Sequence, residues 1–219
     1  MYFILISILF LILAGVYLLV RKEFHNRRSL LTFVGAGLVL TGAAVLVTLS
    51  GAYDTSFVLF YLTQSLPLIL AVDEMSVIFS LAAMVIILSA GFFSFEYMKH
   101  ETKEKRYYGF YLIVFGILNA LCFAGSLITF YLFFEMLTLT SMTLVLHSGR
   151  HEAIIAGLKY LLYSLCGAYM ALFSIYFVYK NSDTLRFTAG GVLTGTVETQ
   201  SGILLVAAMI MIIGFGVKA

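Results

Sequence analysis

The sequence predicts an all-α membrane protein, a polytopic bundle of about seven transmembrane helices with its N-terminus outside the membrane. Three observations predict this fold class: 62% of the 219 residues are apolar, only 11% are charged, and the apolar residues occur in long uninterrupted runs. A soluble domain carries about 25% charged residues and alternates apolar with polar positions. The composition therefore excludes a soluble enzyme, and the formal net charge of +2 gives no indication of a nucleic-acid partner.

Seven apolar stretches supply the predicted helices. A helix that crosses the hydrocarbon core of about 30 Å needs about 20 mostly apolar residues. No small-residue cleavage site follows the first stretch, so we predict that it is a retained span and not a signal peptide. In order along the chain, the predicted helices are residues 2–20, 30–49, 75–97, 107–125, 127–146, 154–179 and 203–217.

The basic residues predict the side of the membrane that each loop occupies. With the N-terminus outside, nine Lys and Arg residues fall in predicted cytoplasmic loops, and only Lys180 and Arg186 fall in outer loops. Short loops rich in Lys and Arg stay in the cytoplasm. We therefore predict that residues 21–29 and 100–106 are cytoplasmic and that residues 50–74 are external.

Two outer segments are candidate hairpins. Residues 56–72 are apolar enough to compete as an eighth span, but Asp73 and Glu74 would then have to form a two-residue turn. Pro67 also interrupts this segment. We predict a hairpin or re-entrant piece packed on the bundle, with its backbone groups hydrogen-bonded to protein. Residues 187–197, which include three glycines, are either a second hairpin or a flexible loop.

Two charged residues lie well inside predicted helices, Glu135 and Lys159, and a third, Lys218, follows the seventh predicted helix directly. A charge at the bilayer centre costs about 2.5 to 3.5 kcal/mol on insertion scales, so such residues usually face the bundle interior and have a partner. Glu135 lies eight residues after Leu127, about 12 Å into the core, where its short side chain cannot reach water. It is either a functional proton-carrying group or a protonated structural glutamate that hydrogen-bonds a neighbouring helix.

Each of the two lysines also has a simpler explanation than a functional role. Lys159 lies five residues into the sixth helix, from where its stem could extend back to the interface. Tyr163 and Cys166 follow it on the same helix face, and Glu135 offers an opposite charge. We therefore predict that Glu135 and Lys159 approach each other directly or through one water molecule. Lys218 could simply mark the exit of the last helix.

Other kinds of site are not predicted. Cys122 and Cys166 lie within apolar stretches, where a thiol is usually a packing residue. Asn119 is interpreted as an interhelical hydrogen-bonding residue. Motifs for phosphate, zinc or a serine nucleophile are absent, and no histidine pair at membrane depth has the spacing of haem ligands. We predict no bound cofactor and no metal site.

Three segments carry a family resemblance: YLFFEMLTLTS at 131–141, AGLKYLLYS at 156–164 and GFGVKA at 214–219. The chain resembles the antiporter-like membrane subunits of respiratory complex I, of Mrp-type multisubunit cation/proton antiporters and of membrane-bound hydrogenases. The segment VDEMS at 72–76 is similar to the acidic signature before the third helix of that family. The resemblance implies a multi-pass protein of a bacterial or archaeal cell membrane.

The resemblance also implies roles for the three charges. It implies that Glu135 and Lys159 form a proton relay with Lys218, which would lie at the break of the seventh helix. Gly214 and Gly216 fit a helix that is about to break. The implied subunit has no redox centre of its own, its partners are other membrane subunits of one complex, and it moves protons, with Na+ as the alternative ion.

Family members contain two inverted repeats, so the resemblance covers their N-terminal half. We expect one membrane domain, 1–219, in which a three-helix part (1–106) precedes a partial first repeat (107–219) truncated after Lys218. On that expectation the chain alone conducts no coupled proton or sodium flux. An alternative function is a structural or assembly subunit without transport of its own. A third is an enzyme acting on lipid, for which only residues 147–152 supply clustered polar groups.

Overall fold

A computed structural model describes residues 2–21, 26–51, 55–63, 66–182, 184–188, 190–193 and 201–217 of the chain. Within these ranges the chain forms seven α-helices and one β-hairpin, as the sequence predicts. The elements are α1 (Tyr2–Val20), α2 (Arg27–Gly51), β1 (Thr55–Thr63), β2 (Leu66–Val72), α3 (Glu74–Tyr97), α4 (Glu104–Cys122), α5 (Leu127–Val145), α6 (His151–Lys180) and α7 (Ser201–Gly216). A short 3-10 helix, Met98–His100, continues α3.

The helices have the lengths and surfaces of membrane spans. Four of them, α2, α3, α5 and α6, contain described stretches long and apolar enough to cross a bilayer, and α1 and α7 are shorter apolar helices. Large apolar side chains are exposed along them, including Ile86 at 66% and Phe93 at 72% exposure. By contrast, the buried residues of α3 are Ser76, Ser80, Gly91 and Ser94. This pattern suits helices whose outer surfaces face lipid. The side of the membrane on which each loop lies stays a prediction.

A close helix pair joins α1 and α4, which are not neighbours in sequence. A Cβ atom added at Gly15 would lie 2.5 Å from the carbonyl oxygen of Gly109, so two bare backbones touch at this crossing. Beside it, Tyr108, Leu112 and Phe115 of α4 are fully buried. Small residues allow such close approach in membrane helix pairs, where dispersion contacts supply much of the attraction. The α1–α4 pair is therefore the centre of the core.

Polar contacts fasten one end of this bundle. Arg27, at the start of α2, binds Glu104 at the start of α4 in a two-pronged ion pair, with the shortest N–O distance at 2.8 Å. The same guanidinium donates to the carbonyl oxygen of Phe95 on α3. The ring of His147, after α5, lies 3.0 Å from the carbonyl oxygen of Thr102. These contacts connect α2, α3, α4 and the end of α5.

The opposite end is organised around the hairpin. Strands β1 and β2 pair antiparallel, from Thr55 opposite Val72 to Thr63 opposite Leu66. The turn between α4 and α5 lies against β2, because Ala71 donates to the carbonyl oxygen of Phe123 and Gly125 donates to that of Ile69. The predicted hairpin packed on the bundle is thus confirmed as a hairpin.

The chain after α6 adds to the same assembly. Phe187 donates from its backbone to Gly125, and Leu127 donates to Leu185. The guanidinium of Arg186 reaches the hydroxyl of Ser56 at 2.7 Å. In the second candidate hairpin, the described part forms a turn closed by the backbone of Gly191 on that of Thr188, and residues 194–197 lie outside the described residues.

Helix α3 begins at a capping box. The backbone N–H of Ser76 donates to the carboxylate of Asp73, and the N–H of Asp73 donates to the hydroxyl of Ser76, both at 2.7 Å. Each bond satisfies a backbone donor that the first helical turn would otherwise leave unpaired. The VDEMS segment therefore has a structural role, because it fixes the start of α3 directly after β2.

Candidate functional site

The candidate site is centred on Glu135, in the middle of α5. The helix begins after Ser126, whose hydroxyl accepts a hydrogen bond from the backbone of Thr129 and lies 2.7 Å from the Thr129 hydroxyl. This local cap fixes the start of α5. Eight residues further on, about 12 Å along the axis, Glu135 is half-buried. The glutamate thus lies near the middle of an apolar helix, with its side chain partly covered by the rest of the chain.

Two tyrosines, Tyr131 and Tyr169, lie near Glu135. Tyr131, one helical turn before Glu135, interacts electrostatically with Glu135 and with Tyr169 of α6. Residues four apart on a helix lie on the same face, so Glu135 and Tyr131 share the face of α5 that approaches α6. Phenol groups can both donate and accept hydrogen bonds. The site therefore contains polar groups from two helices.

Aromatic side chains pack α7 against α5 at the level of Glu135. The ring of Phe215 contacts Phe134 edge-to-face, with the ring centroids 5.1 Å apart, and contacts Phe130 in the same way at 5.4 Å. Phe134 precedes Glu135 directly in sequence. Phe215 is three residues before Lys218, which lies outside the described residues. The end of the described α7 is thus held against the segment of α5 that carries the glutamate.

A close crossing of α6 and α7 holds α7 in this position. A Cβ atom at Gly214 would lie 2.7 Å from the carbonyl oxygen of Gly167 and 2.8 Å from the backbone nitrogen of Ala171. Only glycine fits between these backbones, because any side chain would need the two helices to separate. Gly214, which the sequence pattern associates with a helix break, has a packing role in the described part of α7.

Lys159 does not meet the predicted partner directly. It is exposed on α6, as are Tyr163 and Cys166, and within the described chain it forms no ion pair with Glu135. The direct form of the predicted contact is therefore wrong, and an approach through one water molecule stays a prediction.

The register of α5 against α6 explains the separation. The hydroxyls of Ser141 and Tyr160 are 3.1 Å apart, so the start of α6 lies beside the end of α5. Glu135 is six residues from Ser141, about 9 Å along the helix. Because α5 and α6 run antiparallel, the residue of α6 at the level of Glu135 lies six residues beyond Tyr160, at Cys166.

The hydroxyl groups that follow Glu135 are largely hydrogen-bonded within α5. The hydroxyls of Thr138 and Thr140 donate to the carbonyl oxygens four residues earlier, and that of Thr143 donates to Thr140. Such bonds are common for hydroxyl residues inside helices. Only Ser141 among these hydroxyl residues has a described bond that crosses to another helix, through Tyr160.

The remaining polar residues give a mixed outcome. The amide of Asn119 is buried and donates to the carbonyl oxygen of Phe115 in its own helix, so the predicted interhelical bond is wrong. His151 is exposed at the start of α6. Cys122 is half-buried. Among the described residues, no group of three or more His, Cys, Asp or Glu side chains could hold a metal ion.

The part of the chain that contains this site matches a known family. Residues 124–219, which include Glu135, Lys159 and Lys218, match the NADH:quinone oxidoreductase/Mrp antiporter transmembrane family. Over this part the chain is similar to the antiporter-like membrane subunits. The resemblance predicted from the three charged segments is thereby confirmed, and the chain is an integral multi-pass membrane protein.

Similarity to individual proteins extends over nearly the whole chain. A Na(+)/H(+) antiporter subunit of Alkalihalophilus pseudofirmus is 22% identical over 216 residues, which cover 98% of this chain and 44% of that protein. A chain of the membrane-bound sulfane sulfur reductase, an archaeal respiratory membrane complex, has a TM-score of 0.71 at 23% identity, covering 98% of this chain and 33% of that one. A chain of respiratory complex I from Thermus thermophilus has a TM-score of 0.71 at 20% identity, covering 96% and 43%.

At such identities the two solved structures demonstrate a shared fold. The antiporter protein of Alkalihalophilus pseudofirmus is more than twice as long as the matched segment, because that segment covers 44% of it. The chain thus spans less than half the length of this relative.

The tyrosines of the site were not predicted from the sequence. Tyr131 was available as a signal, because it lies four residues before Glu135 on the same helix face. Tyr169 and Tyr160 carry no signal of their own in the sequence. Their proximity to α5 depends on how α5 and α6 are aligned, which apolar sequences do not encode in an obvious pattern.

Proposed function

We propose that this chain takes part in proton or cation/proton translocation as a membrane subunit of a complex I-like, Mrp antiporter-like or hydrogenase-linked complex. In this proposal Glu135, Lys159 and Lys218 form an intramembrane relay, and no redox centre belongs to the chain. The observation that carries it is the half-buried Glu135 in the middle of an apolar span. An ionisable residue at that depth is costly, and such residues mark ion pathways in membrane proteins.

The contact between α5 and α7 supports a specific order within the relay. Because Phe215 packs on Phe134, the described end of α7 lies close to the level of Glu135. We propose that Lys218, three residues further along the chain, is the lysine coupled most directly to Glu135. Lys159 then acts at a distance, about two helical turns from the glutamate along the axis of α5.

The relay works through the mutual dependence of its charges. A cation near a carboxylate favours its ionised form, whereas desolvation favours the neutral form, so movement of one charge changes the proton affinity of the other. Two groups coupled in this way titrate as a unit. When Glu135 accepts a proton, its negative charge no longer stabilises the protonated lysine. The lysine could then pass its own proton onward. Tyr131, one helical turn before Glu135, supplies a hydroxyl on the same helix face.

Partners follow from the relatives. The similar proteins are a Na(+)/H(+) antiporter subunit and chains of two respiratory membrane complexes. We propose that this chain also works beside other membrane subunits, which would cover the exposed surface of α6 around Lys159 and Tyr163. The surrounding lipid bilayer and protons, with Na+ as the alternative ion, complete the proposed set of partners.

The test replaces Glu135 by Gln, which keeps the shape and removes the ionisable group. In inverted membrane vesicles of the organism that carries the gene, we expect Glu135→Gln to lower the pH gradient formed by the complex about tenfold or more. The complex should still assemble, as measured by native gel electrophoresis. Glu152→Gln is the matched control, because Glu152 is exposed in the first turn of α6, and it should leave both measurements unchanged.

The two outcomes separate transport from structure. Loss of the pH gradient with normal assembly supports the relay. Loss of assembly in Glu135→Gln would instead support the alternative, a structural or assembly subunit in which the glutamate only connects helices. A normal pH gradient in the fully assembled variant would contradict the proposal.

A further inference from the structure

A cavity of about 550 Å³ lies between three helices at the end of the bundle that contains the Arg27–Glu104 ion pair. Its walls come from the end of α1, the start of α4 and the end of α5. Two basic residues and four others line it: Leu19, Lys105, Arg106, Phe110, Thr143 and Leu146. No acidic residue is among these six. The cavity therefore combines two basic side chains with a largely apolar lining.

The charge of Arg106 is not neutralised by the described chain. Its side chain is half-buried, and it forms neither an ion pair nor a side-chain hydrogen bond with any described residue. The nearest acid in sequence, Glu104, is engaged by both prongs of Arg27. A guanidinium presents five donors, and partly burying it without an acceptor is costly. The cavity thus offers an unsatisfied cation to an anionic ligand.

The other polar groups of the cavity have defined partners. Lys105 donates to the carbonyl oxygen of Arg21, just after α1, and adds positive charge beside Arg106. The hydroxyl of Thr143 donates to the carbonyl oxygen of Thr140, so its proton is already used. Recognition of an anion would therefore depend mainly on Arg106.

The position and walls of the cavity indicate the class of ligand. It lies where three predicted spans end, at the boundary between the hydrocarbon core and the loops. Basic pockets between transmembrane helices at this boundary bind the headgroups of anionic lipids. Phe110 and Leu146 continue the walls as apolar surface, which suits an acyl chain and does not suit a small soluble anion. We propose that this cavity binds an anionic phospholipid, with its phosphate on Arg106 and an acyl chain along Phe110 and Leu146.

The chain contains no tryptophan, so one introduced tryptophan can report on the cavity. The purified full chain carrying Phe110→Trp would be reconstituted into vesicles with brominated phosphatidylglycerol or brominated phosphatidylcholine, and quenching of its fluorescence would be measured. We expect phosphatidylglycerol to bind at this position about five-fold more strongly, since a basic residue near the surface contributes about 1 kcal/mol. Phe93→Trp, on the exposed surface of α3, should report no preference between the two lipids.

Charge variants identify the residue responsible. In the Phe110→Trp background, Arg106→Gln should abolish the five-fold preference, and Arg106→Lys should retain most of it. Arg28→Gln is the matched control, because Arg28 lines a different cavity beside α2 and α3, and it should change nothing at Phe110→Trp. Circular dichroism of each variant establishes that it is folded.

Three results would overturn the proposal. They are equal quenching by the two lipids at Phe110→Trp, a preference that survives Arg106→Gln, and absence of quenching by either lipid. The last result would mean that protein covers the cavity and lipid is excluded. None of these outcomes depends on whether the chain translocates ions, so this site can be judged separately from the relay.

Discussion

Two glycine crossings in this chain have the same geometry and different surroundings. At the α1–α4 crossing, Gly15 and Gly109 touch within a core of fully buried aromatic and aliphatic side chains. At the α6–α7 crossing, Gly167 and Gly214 touch just as closely, but the buried residues of α6 are mainly small, such as Ala168 and Ala171. The comparison suggests that the first crossing stabilises the bundle, whereas the second positions α7 beside Glu135.

The largest effect should come from filling the first crossing. Gly15→Ala would place a methyl group 2.5 Å from the carbonyl oxygen of Gly109, and overpacking of this kind costs about 1 to 3 kcal/mol. We expect the free energy of unfolding, measured by SDS titration in mixed micelles, to fall by about 2 kcal/mol.

The matched control for this variant is Gly37→Ala in α2. A Cβ atom there meets no atom closer than 4.0 Å, and alanine is a better helix former than glycine by about 1 kcal/mol. Gly37→Ala should therefore be neutral or stabilising. Equal effects of the two substitutions would show that the α1–α4 contact is not the centre of the core.

The second crossing should affect transport more than folding. Gly214→Ala forces α7 away from α6, because its methyl group would lie 2.7 Å from the carbonyl oxygen of Gly167. We expect a loss of about 1 kcal/mol in unfolding free energy and a fall in ion translocation of about tenfold or more, since small displacements of reacting groups have large effects on rate. Both are measurable on one membrane preparation.

Gly216→Ala controls for the change of residue type near the end of α7, because a Cβ atom there would meet nothing within 4 Å. It should leave translocation unchanged. If Gly214→Ala lowered the free energy of unfolding as much as Gly15→Ala, the proposed division between a stabilising and a positioning crossing would be incorrect.

A smaller effect is expected from the hydrogen bond that aligns α5 with α6. Ser141→Ala and Tyr160→Phe each remove one hydroxyl of the 3.1 Å pair, and interhelical hydrogen bonds in membranes contribute about 0.6 kcal/mol on average. A double-mutant cycle on the unfolding free energy should give a coupling of about that size. A coupling energy of zero would mean that the hydrogen bond between Ser141 and Tyr160 does not hold α5 and α6 in this register.

The sequence was sufficient for the elements but not for their arrangement. The helices could be predicted because about 20 apolar residues are needed for each span, and the hairpin because Pro67 and the adjacent Asp73 and Glu74 disfavour a continuous span. The structure differs mainly at helix ends, where α4 stops at Cys122 and α6 extends from His151 to Lys180.

The contacts between helices could not be predicted in the same way. In lipid, the outward and inward faces of a helix are equally apolar, so the sequence carries little information on which helices pair. The pairing of α1 with α4 and the exposure of Lys159 both depend on this missing information. Glu135 could be identified because its cost at membrane depth does not depend on the arrangement.

The central proposal about the relay is that Glu135 is coupled more directly to Lys218 than to Lys159. It can be tested with cysteine pairs in a background where Cys122 and Cys166 are replaced by serine. Glu135→Cys is combined either with Lys218→Cys or with Lys159→Cys, and each pair is treated with the same short thiol-bridging reagent in native membranes. We predict efficient bridging of the first pair and none of the second, observed as a mobility shift on a denaturing gel. Bridging of only the pair with Lys159→Cys would contradict the claim.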